Sequence, residues 1–231
     1  MKLTLSSIRQ NQELTNINSL YNNLKRLLYF LLLIDLFFIC LHLYTFTLPE
    51  ISGSDKLLRL DMDFGYAEMF QYLQYLTAAI ILLYLFFKEH KFIFLVWSFF
   101  HLVLFADDAF QFHEGFGAQF VQAFGVRNAF GLRGQDFGEL AISALLGLFF
   151  ALPILYHLFK GDERSQNVTI HYIILTGILI FFGVGIDILH SLLKFVPGSS
   201  VLTIVEDAGE IIAGSLIVWY SFYVLVKREI Q

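Results

Sequence analysis

Charged residues are scarce in this sequence of 231 residues: they make up 15% of it, against about 25% in a typical soluble domain. Basic runs are missing and the net charge is −5, so nucleic-acid binding has no basic surface to rest on. The single cysteine, Cys40, excludes an intrachain disulfide and a multi-cysteine metal site. Apolar residues, in contrast, make up 57% of the chain. This composition is typical of a protein that resides in a lipid bilayer.

Six apolar stretches are long enough to cross a bilayer, since a spanning helix needs about 20 mostly apolar residues. The predicted spans are residues 27–49, 66–87, 92–113, 137–159, 169–193 and 201–226. The sequence therefore predicts an all-α integral membrane bundle of six helices, formed by one domain at residues 25–228. The first apolar run is too long for the apolar region of a cleavable signal peptide, so we expect it to remain as a span.

The segment between spans 3 and 4, residues 114–136, contains five glycines and two arginines and is too polar to cross. We expect it to form a re-entrant or interfacial loop with a short amphipathic helix around residues 119–124.

Lysine and arginine are distributed unevenly on the two sides of the predicted bundle. Of the 15 such residues, ten fall on the side of the N-terminus and five on the other side. Because the side richer in Lys and Arg faces the cytoplasm, both termini are predicted to be cytoplasmic, with residues 1–24 as a cytoplasmic segment. This bias is typical of an inner or plasma membrane protein.

Acidic residues of the last five predicted spans fall at a similar depth, near the outer face. Neighbouring spans run in opposite directions, so this agreement is not expected of polar residues scattered at random. The acidic residues are Glu68, Asp107, Asp108, Asp136, Glu139, Asp187, Glu206, Asp207 and Glu210. Ionisable groups inside a membrane span are costly and by default indicate a functional site. So many carboxylates cannot all stay ionised at close range unless protons, a metal ion or basic groups compensate them.

Asp187 and His190 have the acid-x-x-His spacing that places two ligands on one metal ion, related to the Glu-x-x-His pattern of di-metal bundles. A mixed set of oxygen and imidazole ligands suits a divalent Zn, Mn or Fe ion. The candidate metal ligands are Asp187, His190, Glu206, Glu210, Glu68 and His113. His113 and Glu114 can both face the bundle centre only if span 3 unwinds, which the nearby Gly115 and Gly117 permit.

The acidic pair Asp107-Asp108 followed by His113-Glu114, and the later Glu206-Asp207-x-x-Glu210, resemble a pattern in a group of bacterial multi-pass membrane proteins. The resemblance covers spans 3 to 6 and implies no activity. A more distant similarity is to alkaline ceramidases and adiponectin receptors, which hold zinc with His and Asp inside a helical bundle. This chain departs from them in having six predicted spans and Lys194 where their late motif requires histidine.

The leading hypothesis is a metal-dependent hydrolase that acts on a lipid or lipid-linked substrate. Asp107 would be the general base, and Arg127 and Arg133 would bind a phosphate or carboxylate head group. A second hypothesis is a cation or proton transporter that uses the cluster as a vestibule, with Asp35 and His101, near mid-depth, as its inner polar residues. Their similar depth also makes Asp35 and His101 candidates for a structural pair. A third is a non-catalytic subunit or sensor that binds a partner membrane protein or a second copy of itself. A purely structural network of ion pairs is also compatible with the same residues.

Overall fold

Helices account for nearly all of the chain that the computed structural model describes, which is residues 5–48, 53–193 and 199–230. The α-helices are α1 (Leu5–Thr45), α2 (Tyr66–Glu89), α3 (Phe92–Phe110), α4 (Phe112–Phe124), α5 (Gly134–Lys160), α6 (Glu163–Ile180), α7 (Asp187–Leu193) and α8 (Ser199–Ile230). A 3-10 helix, Gly53–Leu58, precedes α2, and a π-helix, Phe181–Ile186, joins α6 to α7. The all-α prediction is therefore confirmed.

Of the six predicted spans, five have a counterpart among the described helices that are able to cross a membrane. Five described segments are long and apolar enough to cross a membrane: Ile17–Thr45, Tyr66–Glu89, Phe92–Phe110, Gly134–Lys160 and Glu163–Leu193. They match the first five predicted spans and indicate a membrane protein. The expected sixth, residues 201–226, does form a helix, α8, but α8 is not one of the five. Its first half carries three carboxylates, and its apolar residues are turned largely into the bundle rather than outward.

Helix α8 is central, since it packs against α1, α2 and α6. The main apolar core lies between α2, α3, α6 and α8, and Trp97 of α3 stacks on Tyr172 of α6 with 5.0 Å between ring centroids. Helix α5, in contrast, exposes large apolar side chains along its length, among them Leu148, Leu152 and Phe159. An outer surface of this kind is compatible with contact to lipid.

The two ends of the bundle differ in charge. At one end, which we term the basic end, Arg164 of α6 donates hydrogen bonds of 2.6 and 2.8 Å to Glu89 of α2. Arg228 of α8 lies 4.0 Å from the same carboxylate, and Lys91 pairs with Asp162 beside it. We term the opposite end, where α2 and α8 begin and α3 and α7 end, the acidic end. The basic end is thus tied together by ion pairs between four helical segments.

Helix α4 is longer than the predicted helix at residues 119–124, and it folds back against α5. The contact depends on two glycines, Gly117 and Gly138, whose backbones touch. A methyl group added to Gly138 would collide with the carbonyl group of Gly117, whereas one added to Gly147, also on α5, would meet no atom within 4 Å. This contact fixes the position of α4 over the acidic end.

We expect Gly138→Ala to destabilise the protein by about 1–3 kcal/mol, because the added methyl forces two backbones apart. The matched control, Gly147→Ala, should be neutral or stabilising, by up to about 1 kcal/mol, since alanine favours helix and the space is open. Thermal unfolding in detergent measures both. Equal melting temperatures for the two variants would contradict the close contact.

Candidate functional site

The site begins at a sharp break between α3 and α4. Gln111 has a left-handed backbone conformation, with φ at 51°, and separates the last residue of α3 from the first of α4. The sequence predicted unwinding of span 3 at His113 and Glu114, permitted by the nearby Gly115 and Gly117. The break lies at Gln111, and both glycines lie within α4. A non-glycine residue with positive φ is uncommon and is held in place by its surroundings.

Asp107 of α3 stabilises this break. Its carboxylate accepts a hydrogen bond of 2.8 Å from the backbone N–H of His113 in the first turn of α4, and its other oxygen lies 3.2 Å from Nδ1 of the His113 ring. The interaction with Asp107 raises the pKa of His113 to about 9, because it favours the imidazolium form. Asp107 therefore acts as an N-terminal anion for α4, and its predicted role as a general base stays a prediction.

Glu210 of α8 is a half-buried carboxylate between α2 and the π-helix. Its Oε2 accepts a hydrogen bond of 3.0 Å from Nε2 of Gln71 on α2, and the same amide donates to the hydroxyl of Tyr75 at 2.8 Å. On the other side, Oε1 of Glu210 lies against the backbone of Gly183 so closely that a Cβ there would collide with it. Glu210 is thus held between α2 and the π-helix.

The π-helix gives this pocket its shape. It inserts a wider turn between α6 and α7, and its Gly183 faces Glu210, while the ring of Phe182 covers Gly209 on α8. Segments of π-helix are rare and occur frequently at functional sites. Nothing in the amino-acid sequence around Gly183 indicated a π-helix.

Several carboxylates lie within electrostatic range of Glu210, in part as the sequence predicted. Asp187 and Glu68 interact with it unfavourably, and His113 interacts with it favourably. The nearby basic groups are largely engaged elsewhere: Arg59 forms a bidentate pair with Asp61, and Arg133 pairs with Asp136. The remaining acidic neighbours of Glu210 are Asp108, Glu206 and Asp207. We call the set of Glu68, Asp108, Asp187, Glu206, Asp207 and Glu210 the carboxylate cluster.

The predicted metal ligands are only partly brought together. His190 on α7 lies 3.7 Å from Glu206 and 3.4 Å from the hydroxyl of Thr203, both on α8, and it interacts electrostatically with Asp187. Within the residues that the structure describes, however, no three His, Cys, Asp or Glu side chains are arranged to hold a metal ion. The predicted metal ion and its ligand set therefore stay predictions.

The two arginines predicted to bind a head group have different surroundings. Arg133 caps the first turn of α5 through hydrogen bonds of 2.6 and 2.9 Å to Asp136, and it lies within electrostatic range of Asp187. Arg127 is exposed in the segment between α4 and α5. Of the two, Arg133 is the one near the carboxylate cluster, and its guanidinium group is already bound to Asp136.

The pairing of Asp107 with His113 predicts a dependence of stability on alkaline pH. The folded-state pKa of His113, about 9, exceeds the ordinary value of about 6.5. Its stabilising contribution is therefore complete below about pH 6.5 and is lost as the pH rises through about 9.

We expect Asp107→Asn to remove this part of the alkaline loss of stability, which should amount to roughly a few degrees in melting temperature. The measurement is thermal unfolding between about pH 6 and pH 10. Asp63→Asn, at an exposed carboxylate of the same end, is the control and should keep the wild-type slope. An unchanged slope in Asp107→Asn would refute the role of this pair.

No curated protein and no solved structure matches this chain. A family whose description is a domain of unknown function, DUF8692, matches residues 64–226. The matched range extends from the start of α2 nearly to the end of α8, so it includes the whole carboxylate cluster. It names no activity and gives no support to the similarity with ceramidases and adiponectin receptors. By this match over most of its length, the chain belongs to the DUF8692 family.

Proposed function

We propose that the chain is an integral membrane protein that binds a cation, or protons, at the carboxylate cluster and transports it. The observation that carries the proposal is the environment of Glu210, which is half-buried beside Gln71 and Gly183 while Asp187 and Glu68 repel it. His113 is the cation that interacts with it favourably. A low-dielectric site with more carboxylates than basic partners stabilises a bound cation or proton.

The distribution of charge supports an orientation. The basic end contains Lys91, Arg164 and Arg228, so the positive-inside rule places it in the cytoplasm and the carboxylate cluster on the outer side. Helix α8, with 32 residues, is about 48 Å long and can cross the bilayer as a sixth span, with its carboxylates near the outer surface. Both termini are then cytoplasmic, in an inner or plasma membrane.

The ion pairs of the basic end support a transporter that is closed toward the cytoplasm in this conformation. Glu89, Arg164 and Arg228 join α2, α6 and α8, and Lys91 with Asp162 joins the turns beside them. Release of a cation on this side requires these pairs to separate. Alternating access of this kind places the binding site near the membrane midplane or to one side of it, with one end closed at a time.

We expect Glu210→Gln to reduce transport by about tenfold to a hundredfold, because it removes the charge that holds the cation in the enclosed pocket. Proteoliposomes with an entrapped pH indicator report proton movement, and radioactive sodium reports uptake of a metal cation. The control is Glu163→Gln, which neutralises an exposed glutamate at the basic end. Wild-type flux in Glu210→Gln, with equal amounts of protein inserted, would refute the proposal.

The hydrolase hypothesis is separated from this one by elemental analysis of the purified protein. If the cluster binds transported cations or protons, we expect no stoichiometric transition metal to remain after purification. Stoichiometric metal that disappears in an Asp187→Ala, His190→Ala double variant would instead establish a resident metal centre. A substrate search among lipids with anionic head groups would then be justified, with Arg133→Ala as the test of head-group binding.

A further inference from the structure

A second acidic site lies apart from the carboxylate cluster, in the interior of the bundle. Asp35 on α1 is 1% exposed and stands ten residues, or about 15 Å, before the end of α1 at Thr45. It is enclosed by α1, α2 and α8, and it is not one of the residues proposed to hold the transported cation at the acidic end. A carboxyl group at this depth needs a partner or a proton.

The hydrogen bonds around Asp35 form a short chain across three helices. The Gln74 side-chain amide on α2 donates a hydrogen bond of 2.9 Å to the Ser215 hydroxyl on α8, and Ser215 donates one of 3.0 Å to Oδ1 of Asp35. Gln74 and Ser215 are 3% and 0% exposed, so water does not compete for these bonds. The hydrogen bond to the Asp35 carboxyl group is therefore made by a protein group that is shielded from water.

Two oxygen atoms of this chain have no hydrogen-bond partner among the described residues: Oδ2 of Asp35 and Oε1 of Gln74. If Asp35 is ionised, both atoms can only accept hydrogen bonds, and a buried charge is left with a single neutral donor. This arrangement is costly by several kcal/mol. A proton on Oδ2 removes the charge and turns that oxygen into a donor.

Among the described residues, no basic group forms an ion pair with Asp35, and its one hydrogen bond comes from Ser215. Helix α1 packs mainly on α8 and the 3-10 helix, which contains Asp55 and Lys56, and its Phe38 also contacts Phe70 of α2. Arg59 binds Asp61, Asp207 lies within electrostatic range of this pair, and Glu210 accepts a hydrogen bond from Gln71. On α1 itself, the His42 ring accepts a hydrogen bond of 3.0 Å from the backbone N–H of Leu60. The predicted partner His101 contacts the carbonyl of Trp97 instead, at 2.7 Å.

From this geometry we infer that Asp35 is a proton-binding site in the membrane core, with Ser215 and Gln74 as positioning residues. Gln74 lies one helical turn from Gln71, which binds Glu210, so the same face of α2 contacts both acidic sites. A role of Asp35 in transport rests on the proposed function. In that role, the proton is the ion that reaches the interior of the bundle. The presence of the proton itself does not depend on transport.

The first test is the effect of pH on thermal stability in detergent. A carboxyl group in water loses its proton near pH 4, whereas a protonated Asp35 keeps it, so wild-type stability should fall as the pH rises from about 4 toward 8. Asp35→Asn resembles the protonated form in shape and hydrogen bonding, so its stability should decrease measurably less over this pH range. Asp55→Asn, in the 3-10 helix, is the control, and its stability should decrease as much as that of the wild type. Equal slopes for Asp35→Asn and wild type would overturn the inference.

Infrared spectroscopy provides a second test at neutral pH, and it does not rely on stability. The wild-type spectrum minus that of Asp35→Asn should contain the C=O stretch of a protonated carboxyl group, and in Ser215→Ala this band should shift because its hydrogen bond is lost. A carboxylate band in the same difference spectrum would overturn the inference, and Ser215→Ala keeps the test available if Asp35→Asn does not fold. Measurements of proton flux then separate the two proposals. If Glu210→Gln loses flux while the wild-type spectrum lacks the band of a protonated Asp35, the chain transports without a proton on Asp35, and this inference is overturned while the proposed function stands.

Discussion

The cost of a carboxylate in an apolar bundle is the constraint on which this structure depends. Glu210 is enclosed by α2 and the π-helix, and its neighbours include more acids than bases. Three features offset part of that cost: the Gln71 amide, the His113 imidazolium and the anchoring of α4 by Asp107. The negative charge that these groups do not compensate is the physical basis for assigning cation or proton binding to the acidic end. The basic end needs no such function, because its acids and bases pair with one another.

The amino-acid sequence was sufficient to predict the long helices and the end at which the acids gather. Both depend on regularities, namely the length of an apolar run and the helical rise, that hold in any surroundings. The count of spans was the exception, since α8 combines buried apolar residues with carboxylates at one end and basic residues at the other. Its role as the central helix depends on partners that a hydropathy pattern does not contain.

The details of the site were less predictable, because they depend on contacts between distant parts of the chain. The left-handed residue is Gln111 rather than one of the glycines, and it is stabilised by Asp107 across the break. Asp35 was expected near His101 from their similar depth, yet depth says nothing about the direction in which a side chain points around its helix. The hydrogen bond from Ser215 to Asp35 links residues 180 positions apart.

The π-helix has a mechanical consequence. A π-helix bonds residue i to residue i+5, so it accommodates an extra residue within an otherwise α-helical rod. One extra residue offsets the angular position of every later residue by about 100° relative to an uninterrupted α-helix. In this chain the segment that follows is α7, with Asp187 and His190. The π-helix therefore determines the direction in which these two ionisable side chains point around the helix axis, relative to the residues of α6.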